Sequence, residues 1–263
     1  MQKMLEIEVK SSLDGSVEKN LLYCPQEGNE LPLVVGLHSW GFGRDNQVEY
    51  MLSFCVERNW SLLLPEFRGP NRPTNPRALQ ACGSRLARQD IVDAVKHVLQ
   101  HHPVSPKKLL LLGGSGGGHM ALMTGSYSPD LWLAVSAWCP ITDLALWHRQ
   151  ATCEGYPESI EACCGGAPGS GYTVEHEYSD RSPCSQVAGL MRVKNLYLHH
   201  GRFDQLVPPL HSLILAHSLE AEGHPRFFFE IFHSGHALQY PRAFMNFDAL
   251  LQSEEKDSDK LTG

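Results

Sequence analysis

The chain has 263 residues, enough for one substantial hydrophobic core. Its formal charge of −7, from 22 Lys and Arg against 29 Asp and Glu with no block of five like charges, excludes a nucleic-acid footprint. No apolar run reaches the ~20 residues that cross a bilayer, and the first eight residues interleave charge with apolar side chains. A cytoplasmic protein without membrane contact is the expectation.

Residues 5–12 and 17–24 read as two edge strands joined by a turn at Asp14-Gly15. Leu31–His38 is a near-continuous apolar run, as in a strand buried on both faces, and leads into His38-Ser39-Trp40-Gly41-Phe42-Gly43. Residues 46–58 are read as a helix and Trp60–Phe67 as the next strand. Ile91, Ala94, Val95 and Val98 recur at helical spacing, so 83–101 is an amphipathic helix. Lys108–Gly113 is a strand running into Gly113-Gly114-Ser115-Gly116-Gly117-Gly118, and an apolar helical segment follows. Leu131–Trp138 is another strand.

Residues 143–186 are rich in Gly, Pro and Cys and show no clear period, as expected of a lid-like insertion. Alternation resumes with the strand Asn195–His200, a helix near 208–222, the strand Arg226–Phe232 and a helix over 240–252. A polar tail, 253–263, is expected to fray. With no internal repeat or linker, the pattern predicts a single α/β domain over 1–252: a mostly parallel sheet with helices on both faces.

None of the eight cysteines forms a C-x-x-C pair, which argues against a zinc ribbon or a thioredoxin-type site. Cys153, Cys163, Cys164 and Cys184 fall in one region, which leaves a disulfide there open. There is no H-E-x-x-H; His176-Glu177-Tyr178-Ser179-Asp180 resembles one only superficially, and His101-His102 end a charged helix. No metal and no cofactor are expected.

Ser115 is the candidate nucleophile. A G-x-S-x-G turn between strand and helix projects the serine hydroxyl beyond the sheet, and side chains at 113 or 117 would collide there. The glycine run also suits a flexible linker, but linkers do not join a four-leucine strand to an apolar helix. A phosphate loop needs Lys-Ser/Thr where His119-Met120 stands. Gly116-x-Gly118-x-x-Ala121 fits a dinucleotide pattern, which belongs in a first β-α unit.

A serine nucleophile needs a base, and the base an orienting acid. Asp204 follows the strand Asn195–His200, and His236 follows Arg226–Phe232 in His233-Ser234-Gly235-His236. The order Ser115, Asp204, His236 is that of an α/β-hydrolase triad. Asp143 competes for the acid but is more simply a helix cap. His233 competes for the base; Gly235 gives the chain freedom to turn before His236. His119 is expected to bond behind the turn, and His199 and His200 to pack at the strand end. Backbone N–H groups of Gly116 and Trp40 are the candidate oxyanion donors. Trp138 and Trp147, with Trp40, are candidates for the substrate pocket or equally for plain core.

Taken together the chain resembles the catalytic domain of the prolyl oligopeptidase family within the α/β-hydrolase superfamily. The resemblance runs from the His38 loop to His236 through Pro65-Glu66-Phe67-Arg68-Gly69, Asp90 and Asp93-Ala94, the Ser115 turn, Arg181-Ser182-Pro183, Gly201-x-x-Asp204-x-x-Val207-Pro208 and Gly235-His236. It implies a serine hydrolase with Ser115, Asp204 and His236 as its triad. Relatives commonly have glycine after the loop histidine, where Ser39 stands here, and the family's peptidases carry a β-propeller for which 263 residues leave no room. A small-molecule or carbohydrate-linked acyl ester is therefore expected as substrate ahead of a short peptide, since no anchor for a free amino terminus can be identified.

Overall fold

The structure, a computed structural model, describes residues 4–150 and 154–262, with side chains as far as Lys256. Eight strands form one sheet: β1 (Leu5–Lys10), β2 (Val17–Tyr23), β3 (Leu31–Leu37), β4 (Ser61–Leu64), β5 (Val104–Gly114), β6 (Ala134–Trp138), β7 (Leu196–Gly201) and β8 (Phe227–Phe232). Their spatial order is β1-β2-β4-β3-β5-β6-β7-β8. β2 runs antiparallel to both neighbours and so is not an edge; from β4 to β8 every pairing is parallel. This is the mostly parallel α/β sheet that the alternation predicted, in the strand order of the α/β-hydrolase fold that the resemblance implied.

The central strands are buried on both faces, and their alternation divides the core in two. Leu33, Val35, Leu109 and Leu111 face one layer. It is built from α2 (Arg85–His101), α3 (Gly116–Tyr127) and α8 (Leu210–Ala221), with Ile91, Val95, Met120 and Leu215 packed inward. Val34, Leu62, Leu110 and Leu112 face the other. There α1 (Val48–Glu57) and α9 (Tyr240–Thr262) contribute Met51, Cys55, Phe244 and Phe247. Ser84 caps α2, its hydroxyl accepting the Ala87 N–H at 3.1 Å. The turn at Asp14-Gly15 forms as expected, with Gly15 at φ 76°.

Two stretches differ from the sequence reading. Residues 143–186 are largely helical: α4 (Leu144–Gln150), α5 (Tyr156–Cys164) and α6 (Tyr172–Asp180), followed by the short α7 (Val187–Leu190). Helices of seven to nine residues hold too few turns to show a period. Tertiary packing holds them instead: Trp147, Ile160 and Tyr178 form a third apolar cluster with Trp40 and Val207. α9 continues to Thr262, so the polar tail is helix. Glu254 meets Lys194 and Arg226, and Glu255 meets Lys108, which ties this turn of the helix to the body of the sheet.

Cys163, Cys164 and Cys184 are free thiols, and Cys153 lies outside the described residues. Among the described residues no helix is long and apolar enough to cross a membrane.

Candidate active site

Ser115 stands between β5 and α3 at φ 57° and ψ −122°, a conformation that an L-residue holds only when its surroundings enforce it. Those surroundings are the flanking glycines. A Cβ on Gly113 would lie 2.0 Å from the Gly117 carbonyl oxygen, and one on Gly117 would lie 2.3 Å from that of Leu37. The collisions expected from the motif are therefore real. Ser115 N–H donates to Trp138 O on β6 at 2.8 Å, locking the turn to the neighbouring strand.

Gly116, the first residue of α3, has an N–H with no intrahelical acceptor. A Cβ there would stand 2.4 Å from Trp40 N, so the Gly116 and Trp40 backbones touch. The Trp40 loop is fixed by His38, which stacks on Phe67 with ring centroids 3.9 Å apart. The His38 ring nitrogens meet Glu66 O at 3.0 Å and Ser39 O at 3.1 Å. Phe67 and Arg68, both at positive φ, turn the chain after β4 so that this stack can form.

Asp204 and His236 are in contact, with His236 Nδ1 2.6 Å from Asp204 Oδ2. Asp204 Oδ1 accepts the N–H groups of Leu206 at 2.9 Å and Val207 at 3.0 Å. A second imidazole, His200, approaches Asp204 Oδ2 at 3.3 Å and is held by Val207 O at 2.8 Å and Ser212 Oγ at 2.6 Å. Burial alone would raise the Asp204 carboxyl; the hydrogen bonds from His200 and His236 outweigh it and hold the group well below the usual carboxylate range.

Gly201 brings the two loops together, since a Cβ there would fall 1.9 Å from the Gly235 carbonyl oxygen. Phe203 N–H adds a bond to Ser234 O at 2.9 Å. Gly235 itself is not at positive φ, so the turning freedom expected of it is not what positions His236. His233 is exposed and sits edge-on to Phe203. Asp143 accepts the Leu146 N–H at 2.8 Å and caps α4.

The loop after His236 returns to the serine turn. Leu238 and Tyr240 abut Gly114, and Ala237 O lies 3.8 Å from Cys139 Sγ. No hydrogen bond joins Ser115 Oγ to His236 or to any other described residue. Such contacts are often open in a ligand-free site and tighten around substrate. His236 retains a side-chain exposure of 17 %, so its imidazole reaches the surface beside the crevice.

The tryptophans divide differently. Trp138 has no exposed surface: it stacks on His199 at 3.9 Å and cannot wall a pocket. Trp147 is also buried, donating to Leu206 O at 2.9 Å and bracing the Trp40 ring edge-on. Of the three, Trp40, itself only 4 % exposed, borders a pocket. Two pockets flank its loop, one of about 500 Å³ beside Trp40, Arg72 and Glu158, the other of about 350 Å³ beside Ser39, Gln47 and Tyr240; Phe42 borders both.

His119 bonds across the fold, its Nε2 2.7 Å from Arg181 O, and burial pushes its pKa down to about 4. The Arg181 guanidinium donates to Ala81 O and Leu79 O, both at 2.9 Å, and Ser182 Oγ accepts the Leu144 N–H at 2.9 Å. Arg181-Ser182 thus clamps α4 and α6 onto the back of the serine turn. Cys139, His200 and Asp204 converge closely enough to suggest a metal cluster, but both ring nitrogens of His200 are already engaged. The sequence reading placed His200 at the strand end and Gly201 three residues before Asp204, but missed their roles, His200 as a second imidazole on Asp204 and Gly201 as the point of close approach to Gly235.

An elbow serine, two adjoining amides and a carboxylate–imidazole pair at the carboxyl edge of this sheet define an α/β-hydrolase. A sequence profile of the prolyl oligopeptidase family matches residues 85–251, and the chain belongs to that family. No curated protein matches the sequence. Among solved structures, the acylaminoacyl peptidase of Pyrococcus horikoshii is similar at 18% identity and a TM-score of 0.71, over 89% of this chain and 37% of that one. Dipeptidyl peptidase 4 of Porphyromonas gingivalis gives 14% and 0.73, over 95% and 35%. The S-formylglutathione hydrolase of Staphylococcus aureus gives 13% and 0.70, over 94% and 98%. The chain spans little more than a third of the length of the two peptidases.

Proposed function

We propose that this chain is a serine hydrolase that opens a peptide or similar acyl bond through an acyl-serine intermediate. The Asp204–His236 contact at 2.6 Å, beside a serine held at φ 57°, carries the reading. With Nδ1–H committed to Asp204, His236 presents Nε2 as base. It takes the Ser115 proton as Oγ attacks the carbonyl, and the Trp40 and Gly116 N–H groups receive the oxyanion. His236 then protonates the leaving group, and a water activated by the same nitrogen releases the acyl group.

Family membership supports a peptide as substrate. A second reading, a carboxylic or thiol ester, is supported by the similarity to S-formylglutathione hydrolase along 98% of that enzyme. A fluorophosphonate probe is expected to label the wild type and not Ser115→Ala; folded wild type that stays unlabelled overturns the proposal. Aminoacyl-nitroanilides run beside p-nitrophenyl esters of varied acyl length decide between the substrates, the higher kcat/KM ranking them.

A further inference from the structure

The two edges of the sheet are built differently. β1 alternates Glu6, Glu8 and Lys10 with apolar residues, and Lys19 of β2 pairs with both glutamates. Charges of this kind discourage an edge strand from pairing with another chain. β8, at the opposite edge, reads Phe227-Phe228-Phe229-Glu230-Ile231-Phe232, with no proline and its one charge already held by Arg242 and His199. Phe228 is 46 % exposed and Ile231 36 %.

Half of the β8 backbone is in use. Arg226 O accepts the Leu196 N–H at 3.0 Å and Phe232 O the Arg202 N–H at 2.8 Å, so the even-numbered residues turn their backbone groups to β7. By alternation, the N–H and C=O groups of Phe227, Phe229 and Ile231 point out from the sheet. Such a row is a template for a further strand. A two-fold axis at Phe229 fits it to a second copy of itself. Phe229 then faces the partner's Phe229 and Phe227 the partner's Ile231, an antiparallel ladder in which every outward group is paired. This register sets Glu230 beside the partner's Phe228 and diagonal to the partner's Arg226, an opposite charge within reach of long side chains. An axis at Glu230 would set that carboxylate against its own copy. One at Phe228 would place Ile231 opposite the partner's Pro225, which has no N–H to give.

We propose that β8 is a dimer edge, joining two copies of this chain through antiparallel β8 strands into one continuous sheet. The charges on β1 guard the other edge, so the pair is closed. The test uses the full chain, in sedimentation equilibrium at low ionic strength, and assumes nothing about catalysis. At about 10 μM the wild type is expected at twice the 29.3 kDa of one chain. Phe228→Glu places a carboxylate against the partner's Glu230 and is expected to raise the dimer's Kd about tenfold or more. Phe228→Lys also removes the ring but meets Glu230 with the opposite sign, and is expected to keep Kd within about threefold. Ile231→Pro removes an outward N–H and none that β7 uses, and is expected to raise Kd about tenfold or more. A monomeric wild type, an assembly larger than a dimer, equal Kd values for Phe228→Glu and Phe228→Lys, or a dimer indifferent to Ile231→Pro overturns the proposal. If Ile231→Pro fails to fold, the two Phe228 variants decide alone.

Discussion

Asp204 and Asp90 are both buried carboxylates in ionic or hydrogen-bonded pairs, and the molecule uses them in opposite ways. Asp90 meets Arg68, itself 1 % exposed, through Nε at 2.5 Å and Nη2 at 3.1 Å. The same guanidinium also bonds Asp14, Gln80 and Ser11, tying the β1–β2 hairpin to the chain after β4 and to α2. Every arm of that network ends on protein. Asp204 is equally buried, but His236 has only one described bond, through Nδ1, and part of its ring is exposed. Burial pushes the Asp90 carboxyl up in spite of Arg68, whereas His200 and His236 hold Asp204 down against the same effect. On the proposed mechanism, burial does not separate the orienting acid from the structural one; an unused atom on its partner does.

The comparison breaks most readily in paired variants. Asp204→Asn keeps the acceptor for the Leu206 and Val207 N–H groups but offers His236 the wrong tautomer, so kcat is expected to fall about 10⁴-fold with little change in Tm. Asp90→Ala leaves the buried Arg68 with Asp14 as its remaining bidentate carboxylate and is expected to cost about 1–3 kcal/mol of stability. The surviving folded enzyme should keep its kcat, as read by active-site titration with the fluorophosphonate. If Asp90→Ala lowers kcat per labelled site more than Asp204→Asn does, the division between the two carboxylates is wrong.

Acid sharpens the same contrast. Burial holds His119 and His199 neutral, with pKa values lowered to about 4. Between the ordinary histidine value near 6.5 and about 4 the unfolded chain therefore binds more protons than the folded one. Stability rises with pH through that window and is lost as pH falls through it, by up to about 3 kcal/mol for a fully buried ring such as His119. Asp204, held low, keeps its contribution until pH drops below ~4, while Asp90, pushed up, changes in the opposite sense. Urea midpoints measured from pH 7 to 4.5 should fall steadily, and His119→Gln should flatten the slope. A midpoint independent of pH over that range rules out neutral burial of these rings.

The sheet, its parallel order and the serine turn could be read from the sequence, because each is written locally: apolar runs such as Leu109–Leu112, and glycines at 113 and 117 around Ser115. The three short helices over 144–180 could not, because Trp147, Ile160 and Tyr178 obtain their burial from Trp40 and Val207, far away in the chain. Trp138 illustrates the same limit: its ring is buried against His199 on the next strand, a pairing that spacing does not announce. The pocket of Gln47 and Tyr240 was likewise hidden, since it joins residues nearly two hundred positions apart.

Glycine provides the smallest and most selective test. The sequence suggested that Gly235 frees the chain to turn before His236, yet the nearest atom to a Cβ there is 3.9 Å away and its φ is not positive. Gly201 carries the constraint instead, through its contact with the Gly235 carbonyl. Gly235→Ala is therefore expected to leave kcat within about twofold and to move stability by no more than the ~0.5 kcal/mol typical of unconstrained surface positions. Gly201→Ala must push the two loops apart, lengthening the Asp204–His236 contact and lowering kcat. Should Gly235→Ala do the greater damage, the loops are held by backbone flexibility at 235 and not by close approach at 201.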